Sequence, residues 1–148
     1  MQQSTKVSQV NYDTRIQKAR QAMKQSGLRA IVLESGAAML HLTGVRWGRS
    51  ERTFALVLPA EGEPAWVVPG FEVMRARELI HGRPDIRAWE EDESPFEKIA
   101  QILKDRGITS GRVGIDDNVR FFVFDGIRTH APKLELVSAG SVLKATGL

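Results

Sequence analysis

Ala30-Ile31-Val32-Leu33 is the stretch that decides the fold, because it is a short and continuous apolar run. Such a run is typical of a strand that is buried on both faces of a sheet rather than one that faces water. The segment before it, 14–26, carries apolar residues at three- and four-residue spacing and is followed by Gly27. This pattern predicts a helix with a left-handed C-cap. The sequence therefore predicts a helix that leads into a strand inside the sheet.

The segments after this strand continue the alternation of helix and strand. Apolar residues at 53–58 and 64–68, joined by a turn that contains Gly62, predict an antiparallel hairpin. We expect the other strands at 85–89, 112–116 and 134–137, and the other helices at 71–80, 95–106 and from 117 onward. Helices that alternate with strands around one hairpin predict a three-layer α/β/α domain with a mixed sheet.

The two chain ends and one internal helix carry more local predictions. Residues 1–10 are polar and without periodicity, which predicts a flexible tether before a helix that is capped by Asp13. The helix at 71–80 is expected to bury Phe71, Met74 and either Leu79 or Ile80. Residues 138–148 begin a helix for which the sequence supplies no partner. We therefore expect one domain over residues 1–148, with a connection to further chain that starts at 138.

The composition limits the class of protein. The chain has 148 residues, of which 42% are hydrophobic and 26% charged, enough for one ordinary core. Cysteine is absent, which excludes disulfides, thiolate nucleophiles and cysteine-bound zinc. No apolar run approaches the roughly 18 residues that span a bilayer, and no signal-peptide pattern is present, so we expect a cytoplasmic protein without a membrane partner. The 21 basic residues are interspersed with 18 acidic ones, which predicts no nucleic-acid partner.

The stretch from His41 to Phe54 is the candidate recognition segment. It connects two predicted apolar segments and contains Arg46, Trp47, Arg49 and Arg52 together with two glycines. Arginine and tryptophan are enriched where proteins meet ligands or partners, and such groups are often carried on loops. The segment therefore predicts a binding loop. The alternative is a simple connector whose arginines are only solvated.

Asp116 and Asp117 form the acidic pair most typical of a catalytic site, because they lie at the carboxyl end of a predicted strand. One hypothesis is therefore a stand-alone, nuclease-like enzyme that uses both carboxylates with a divalent metal ion. The alternative is that Asp117 or Asn118 caps the following helix. The other carboxylates of such a site are not found at the ends of the other central strands. We therefore predict no catalytic and no metal-ligating residues in this chain.

The histidines and the acidic run at 90–93 offer no stronger catalytic pattern. His41, His81 and His130 are far apart in the sequence and match no metal-ligand spacing. The acidic run precedes Ser94-Pro95, which is typical of a helix N-terminus, where negative charge is favourable. Cation binding is the alternative for this run, but consecutive carboxylates point in diverging directions.

Five short motifs follow one another in a characteristic order: Gly27 to Leu33, Leu42-Thr43-Gly44, Glu51-Arg52, Trp66-Val67-Val68-Pro69 and Gly111 to Asp116. In this order and spacing they resemble the N-terminal domain of the creatinase/prolidase/aminopeptidase P family, the pita-bread metallopeptidases. The resemblance covers essentially the whole chain and is greatest to Xaa-Pro dipeptidases, the prolidases.

The resemblance implies a ribonuclease-H-like α/β fold that is not itself catalytic. In the family, a site with two metal ions, Mn or Co, lies in a C-terminal domain and is built from two Asp, one His and two Glu. No cofactor is therefore expected in this chain. The implied partners are that catalytic domain, a second copy in a homodimer and an Xaa-Pro dipeptide.

The resemblance also implies that the Thr-Gly loop contributes to a substrate pocket. Trp47 would form an apolar wall against a proline ring or a partner surface, and one of Arg46, Arg49 and Arg52 would pair with a peptide carboxylate. Arg52 could instead pair with a neighbouring carboxylate. His41 stands where a tyrosine is common in the family, which leaves its role open. The alternative is a free-standing α/β interaction module in which Trp47 and Arg49 serve association alone.

Overall fold

The computed structural model describes the backbone of residues 2–148 and the side chains of residues 12–148. The strands are β1 (Leu28–Glu34), β2 (Ala55–Pro59), β3 (Ala65–Pro69), β4 (Asp85–Trp89), β5 (Gly111–Ile115) and β6 (Leu134–Ser138). The helices are α1 (Gln2–Ser26), α2 (Ala37–Thr43), α3 (Val73–Leu79), α4 (Pro95–Asp105), α5 (Phe121–His130) and α6 (Gly140–Ala145), and a 3-10 turn spans Gly70–Glu72.

β1 lies inside a six-stranded sheet whose strand order is β4-β3-β2-β1-β5-β6. It pairs antiparallel with β2 and parallel with β5, so that Val32 lies opposite Val57 on one side and Ile115 on the other. β2 and β3 form the antiparallel hairpin, and β4 and β6 add parallel strands at the two sides. The predicted mixed sheet with one hairpin is confirmed.

Both faces of the sheet are covered by helices. Ile31 and Leu33 of β1 belong to the core under α1, α2, α3 and α6, whereas Ala30 and Val32 belong to the core under α4 and α5. All of these side chains are fully buried. Burial on both faces explains why the run contains no polar residue. The predicted three-layer α/β/α arrangement is confirmed.

Every strand except β2 points the same way, so their carboxyl ends lie along one edge of the sheet. β2 runs in the opposite direction, and its first residue, Ala55, lies beside Glu34 at the end of β1. The connection from α2 to β2, residues 44–54, therefore returns to the same edge. We call this edge, with the residues that follow the strands there, the carboxyl edge.

Several predictions of helix caps from the local sequence are confirmed. Gly27 and Gly107 have φ angles of 73° and 76°, the left-handed conformation expected after α1 and α4. Ser94 precedes α4, and its hydroxyl oxygen accepts a hydrogen bond from the backbone N–H of Glu97 at 3.2 Å. No helix in the described part of the chain is long and apolar enough to cross a membrane.

The predicted start of the first helix is wrong. α1 begins at Gln2 and not at position 14, so Asp13 lies within the helix and does not cap it. Residues 2–26 contain neither glycine nor proline, and extending an existing helix costs far less free energy than starting one. The flexible tether predicted at 1–10 falls on residues whose side chains lie outside the described part.

The predicted helix without a partner at 138–148 is also wrong. β6 extends through Ser138, and α6 packs against α1. Val142 and Leu143 are buried in the same core as Met23 of α1. Burying an aliphatic side chain stabilises a fold by about 1.5–3 kcal/mol, which favours this packing. The helix is thus part of this domain, and the further chain expected after it stays a prediction.

The prediction that Phe71 and Met74 are buried is wrong. They are 70% and 79% exposed. The burial predicted for Leu79 or Ile80 is confirmed at Ile80, and Ala76 is buried as well. The segment starts with a 3-10 turn before α3 begins. A 3-10 turn has about 3.0 residues per turn instead of about 3.6, so it shifts which residues face the sheet.

A network of ion pairs lies at the opposite edge of the sheet. The carboxylate of Asp85 accepts hydrogen bonds from Arg87 at 2.8 and 3.0 Å and from Arg106 at 2.7 Å. Arg106 also donates to the backbone oxygen of Glu63 at 2.9 Å, which ties the hairpin turn to β4 and to the end of α4. The hydrogen bonds from Arg87 have the largest effect on the pKa of Asp85. Together with the hydrogen bond from Arg106, they lower this pKa to about 2.

We expect Asp85→Asn to lower the free energy of unfolding by about 2 kcal/mol near neutral pH. Because the pKa of Asp85 is about 2 in the folded chain, below the 3.8 of an unperturbed aspartate, its contribution is present above about pH 4 and is lost as the pH falls toward 2. Urea unfolding of both proteins, followed by tryptophan fluorescence, should therefore show a difference that shrinks below about pH 4. Asp105→Asn, at a residue that pairs with Arg87 and is 51% exposed, is the control and should change stability less. A difference that persists near pH 2 would contradict this assignment.

Candidate functional site

The predicted recognition loop leaves α2 at Gly44 and crosses the carboxyl edge before it enters β2. Gly44 has a φ of 76°, and its N–H donates to the backbone oxygen of Leu40. A Cβ at this position would lie 2.8 Å from the ring of Tyr12 on α1. The Thr43-Gly44 step therefore requires glycine for two independent reasons, the left-handed backbone and the close approach of α1.

Arg49 fastens the base of the loop to the sheet. Its guanidinium donates twice to the backbone oxygen of Ser35, at 3.2 and 3.0 Å, and once to that of Asn118, at 3.1 Å. It also lies 3.5 Å from the carboxylate of Glu34. One side chain thus joins the loop to the ends of β1 and β5.

Glu34 is the buried charge at the centre of this arrangement. Its side chain has no exposed surface, and it accepts hydrogen bonds from the backbone N–H of Arg120 at 3.2 Å and from Nε of Arg120 at 2.9 Å. A second guanidinium nitrogen of Arg120 contacts the same carboxylate. Sequence reasoning missed this residue, although a glutamate that ends an apolar strand is a signal for a buried, paired carboxylate.

Trp47 and Arg46 form the outer part of the loop. The Trp47 ring stacks on Phe54 with 4.0 Å between centroids, and the guanidinium of Arg75 lies 5.4 Å from its centroid. Trp47 is partly buried, whereas Arg46 is exposed. No hydrogen bond or ion pair joins the Arg46 side chain to another described residue.

Arg52 is held in ion pairs on the same side of the loop. Its Nε donates to Glu91 at 2.8 Å, and it lies 3.7 Å from Glu51. Its guanidinium also lies 5.2 Å from the centroid of Phe71. One of the two interpretations of Arg52, pairing with neighbouring carboxylates, is therefore present in the structure. The contact of Arg52 with a substrate stays a prediction.

His41 lies apart from the other predicted site residues. It is in the last turn of α2, and its Nε2 is 3.0 Å from the backbone oxygen of Thr146. Arg15 of α1 donates to the backbone oxygen of His41 at 2.9 Å. The structure thus brings Trp47 and Arg52 to the segment 71–75 and places His41 against the C-terminal residues.

Neither Asp117 nor Asn118 caps α5, whose N-cap residue is Arg120, so that prediction is wrong. α5 begins only at Phe121, because residues 116–119 form a turn in which Asp116 accepts from the N–H of Asn118 at 3.3 Å. Asp117 instead accepts a hydrogen bond of 2.5 Å from the hydroxyl of Ser138. Burial raises the pKa of Asp116, against the lowering effect of the Asn118 N–H. Within residues 12–148, no group of three or more His, Asp or Glu is arranged to hold a metal ion.

Comparison with known proteins identifies the family. The family model for the creatinase/prolidase N-terminal domain matches residues 15–146. The probable dipeptidase PepE of Mycobacterium tuberculosis is 31% identical over 94 residues, which cover 62% of this chain and 25% of that protein. The crystal structure of dipeptidase PepE from Mycobacterium ulcerans is 27% identical, with a TM-score of 0.78, over 91% of this chain and 36% of that one. The crystal structure of prolidase from Thermococcus sibiricus is 25% identical, with a TM-score of 0.77, over 89% and 35%.

The chain therefore belongs to the creatinase/prolidase N-terminal domain family. This confirms the resemblance and the fold that it implies. The chain spans about a quarter of the length of PepE and about a third of the two solved structures.

We expect Glu34→Gln to lower the free energy of unfolding by about 3 kcal/mol, because it leaves two arginines at a largely buried site without their counter-charge. Amide hydrogen exchange in residues 44–54 should accelerate as well, since Arg49 loses one of its partners. The control is Glu51→Gln, at a carboxylate that is 88% exposed and 3.7 Å from Arg52, where we expect a change near zero. Equal stability of the Glu34→Gln and Glu51→Gln variants would contradict the central place of Glu34.

Proposed function

We propose that this chain is the noncatalytic N-terminal domain of a metal-dependent Xaa-Pro dipeptidase, in which it contributes to the substrate pocket and to dimerisation. The proposal is supported by the family of the chain and by the dipeptidases and prolidase that it resembles over a quarter to a third of their lengths. The activity would belong to the whole protein rather than to this domain.

The observation that carries the proposal is which charged side chains at the carboxyl edge are already paired within the domain and which are not. Glu34, Arg49, Arg52 and Arg120 are all engaged in contacts within the domain. Arg46, in contrast, is exposed and has no such contact among the described residues. A guanidinium that is not already paired is the one best able to bind an external carboxylate.

Arg46 and Trp47 would therefore act together on the substrate. Arg46 would pair with a carboxylate of the dipeptide, and the neighbouring Trp47 would offer an apolar surface to the proline ring. The stack of Trp47 on Phe54 holds this surface in place before the substrate arrives. Arg49 would act indirectly, as a positioning residue that fixes the base of the loop.

The residues of this chain do not fit the two Mn or Co ions of the proposed dipeptidase. The carboxylate of Glu34 is neutralised by arginines, and that of Asp117 is bonded to Ser138. We therefore assign metal binding and bond cleavage to a catalytic domain outside this chain. The same contacts argue against the nuclease-like enzyme that would use Asp116 and Asp117.

A free-standing interaction module is the second candidate. The exposure of Phe71 and Met74, at 70% and 79%, favours it, because large apolar side chains at a surface are typical of association sites. In that case Trp47 and the arginines would serve association alone.

Enzyme assays separate the two candidates. The purified chain should leave an Xaa-Pro dipeptide such as Ala-Pro intact when Mn or Co is added. In the dipeptidase that contains this chain, Arg46→Gln should raise KM at least about tenfold with little change in kcat, because a hydrogen bond to a charged group contributes about 1.5–3 kcal/mol.

Arg83→Gln is the matched control, since Arg83 is an exposed arginine in the turn before β4, at the opposite edge of the sheet. It should leave KM unchanged. Hydrolysis by the purified chain, or an unchanged KM in the Arg46→Gln enzyme, would overturn the proposed role.

A further inference from the structure

A cavity of about 330 Å³ opens at the carboxyl edge beside β6, the outermost strand on that side of the sheet. It lies between the ends of β5 and β6 and the start of α5, and we call it the β6 pocket. Ligand pockets in proteins commonly have volumes from about 300 Å³ upward. None of the described residues that line it belongs to the recognition loop, so the proposed function leaves this pocket unused.

Most of the wall of the β6 pocket is apolar. Phe121 and Phe124 contribute to it from α5, and Leu136 and Val137 contribute from β6. The core covers these side chains incompletely, and Phe121 is 70% exposed. They can therefore also contact the apolar part of a ligand.

Asp116 is the buried polar group of the pocket. The residue is only 6% exposed, and one of its carboxylate oxygens accepts a hydrogen bond from the N–H of Asn118 at 3.3 Å. The other oxygen has no hydrogen-bond partner among the described residues. Since every fully enclosed side-chain oxygen within residues 12–148 has a partner, this oxygen keeps access to the pocket that Asp116 lines. A buried carboxylate with a free oxygen favours a ligand that donates a hydrogen bond.

The charge at the pocket is negative. Asp117 is part of the same lining and uses one oxygen to accept the hydrogen bond from Ser138. No lysine, arginine or histidine among the described residues lines the pocket. The charge of Arg49 acts on Asp116, but its guanidinium lies 3.5 Å from Glu34. The two carboxylates of the pocket therefore favour a cationic ligand.

An organic cation fits this combination, and an ammonium group fits it best. A metal ion needs several oxygen ligands, which apolar walls do not supply. A guanidinium is matched to both oxygens of one carboxylate, whereas Asp116 and Asp117 each have one oxygen already engaged. The three N–H bonds of an ammonium point in different directions and can serve two separate carboxylates. The ring of Phe121 adds attraction for a cation.

We propose that the β6 pocket binds a primary ammonium group that is carried on an aliphatic chain. The ammonium nitrogen donates to the free oxygens of Asp116 and Asp117, and the aliphatic chain lies against Phe121 and Leu136. A free alkylamine and a lysine side chain of another polypeptide present the same chemistry. The site goes beyond the dipeptidase role and does not depend on it.

An NMR titration of the isotopically labelled chain with n-butylammonium chloride tests this site. We expect saturable shifts of the amide resonances of residues 115–124 and 136–138, with a dissociation constant of about 1 mM or lower. Sodium chloride at equal ionic strength should not cause these shifts. The neutral compound n-butanol has the same aliphatic chain, and it should bind at least about tenfold more weakly because it lacks the charge.

Asp116→Asn and Asp117→Asn each remove one negative charge and should each raise the dissociation constant for n-butylammonium at least about tenfold. The asparagine side chain keeps an oxygen that can accept the existing hydrogen bond, so we expect both variants to fold. Near-UV circular dichroism checks this, and Asp117→Asn, at an exposed residue, tests the charge even if Asp116→Asn unfolds. Asp92→Asn is the matched control, because Asp92 is an exposed aspartate that follows β4 at the other end of the carboxyl edge. It should leave the dissociation constant unchanged.

A capped lysine, Nα-acetyl-lysine methylamide, distinguishes the two sources of the ammonium group. Tighter binding of the capped lysine than of n-butylammonium supports a lysine side chain of a partner, and the reverse order supports a free amine. Three outcomes would overturn the site itself: neither cation binds, n-butanol binds as tightly as n-butylammonium, or the folded aspartate variants keep the affinity of the unaltered chain.

Discussion

The organisation of the carboxyl edge depends on one buried carboxylate, that of Glu34. It ends a strand in which the four preceding residues, 30–33, are apolar and packed on both faces, and its side chain has no exposed surface. A charge in such a position is stable only when it is paired and hydrogen-bonded. Arg120 and Arg49 supply the counter-charges, and in doing so they determine where α5 begins and where the loop from α2 returns to the sheet.

The same constraint divides the residues of the carboxyl edge into those that hold the strand ends together and those that are available for recognition. Groups that could take part in chemistry are used to hold the strand ends together: Asp116 in a turn, Asp117 through Ser138, and Arg52 through Glu91. Exposed side chains that the domain does not use in this way remain at Arg46, Phe71 and Met74. A domain built in this way is suited to position a ligand or a partner, which is the role that we propose for it.

The features that sequence reasoning located correctly depend on neighbours in the chain. The hairpin, the glycine caps after α1 and α4, and Ser94 at the start of α4 follow from periodicity and turn chemistry within a few residues. The errors have two sources, a local change of helix type that the residue pattern does not reveal and a contact between segments that are distant in the sequence. Phe71 is exposed because a 3-10 turn changes the helical phase, and α6 is buried because α1 reaches it.

The sequence by itself determined the three-layer class, the hairpin and the family, since these are recorded in patterns of apolar residues and in the order of short motifs. The site was decided only by the tertiary structure. The sequence alone does not distinguish Arg46, Arg49 and Arg52, because all three are arginines in the same loop. In the structure, Arg49 pairs with Glu34 and Arg52 pairs with Glu91. The physical reason is that pairing energy depends on distance and burial. Both quantities are fixed only when strands distant in the sequence lie side by side.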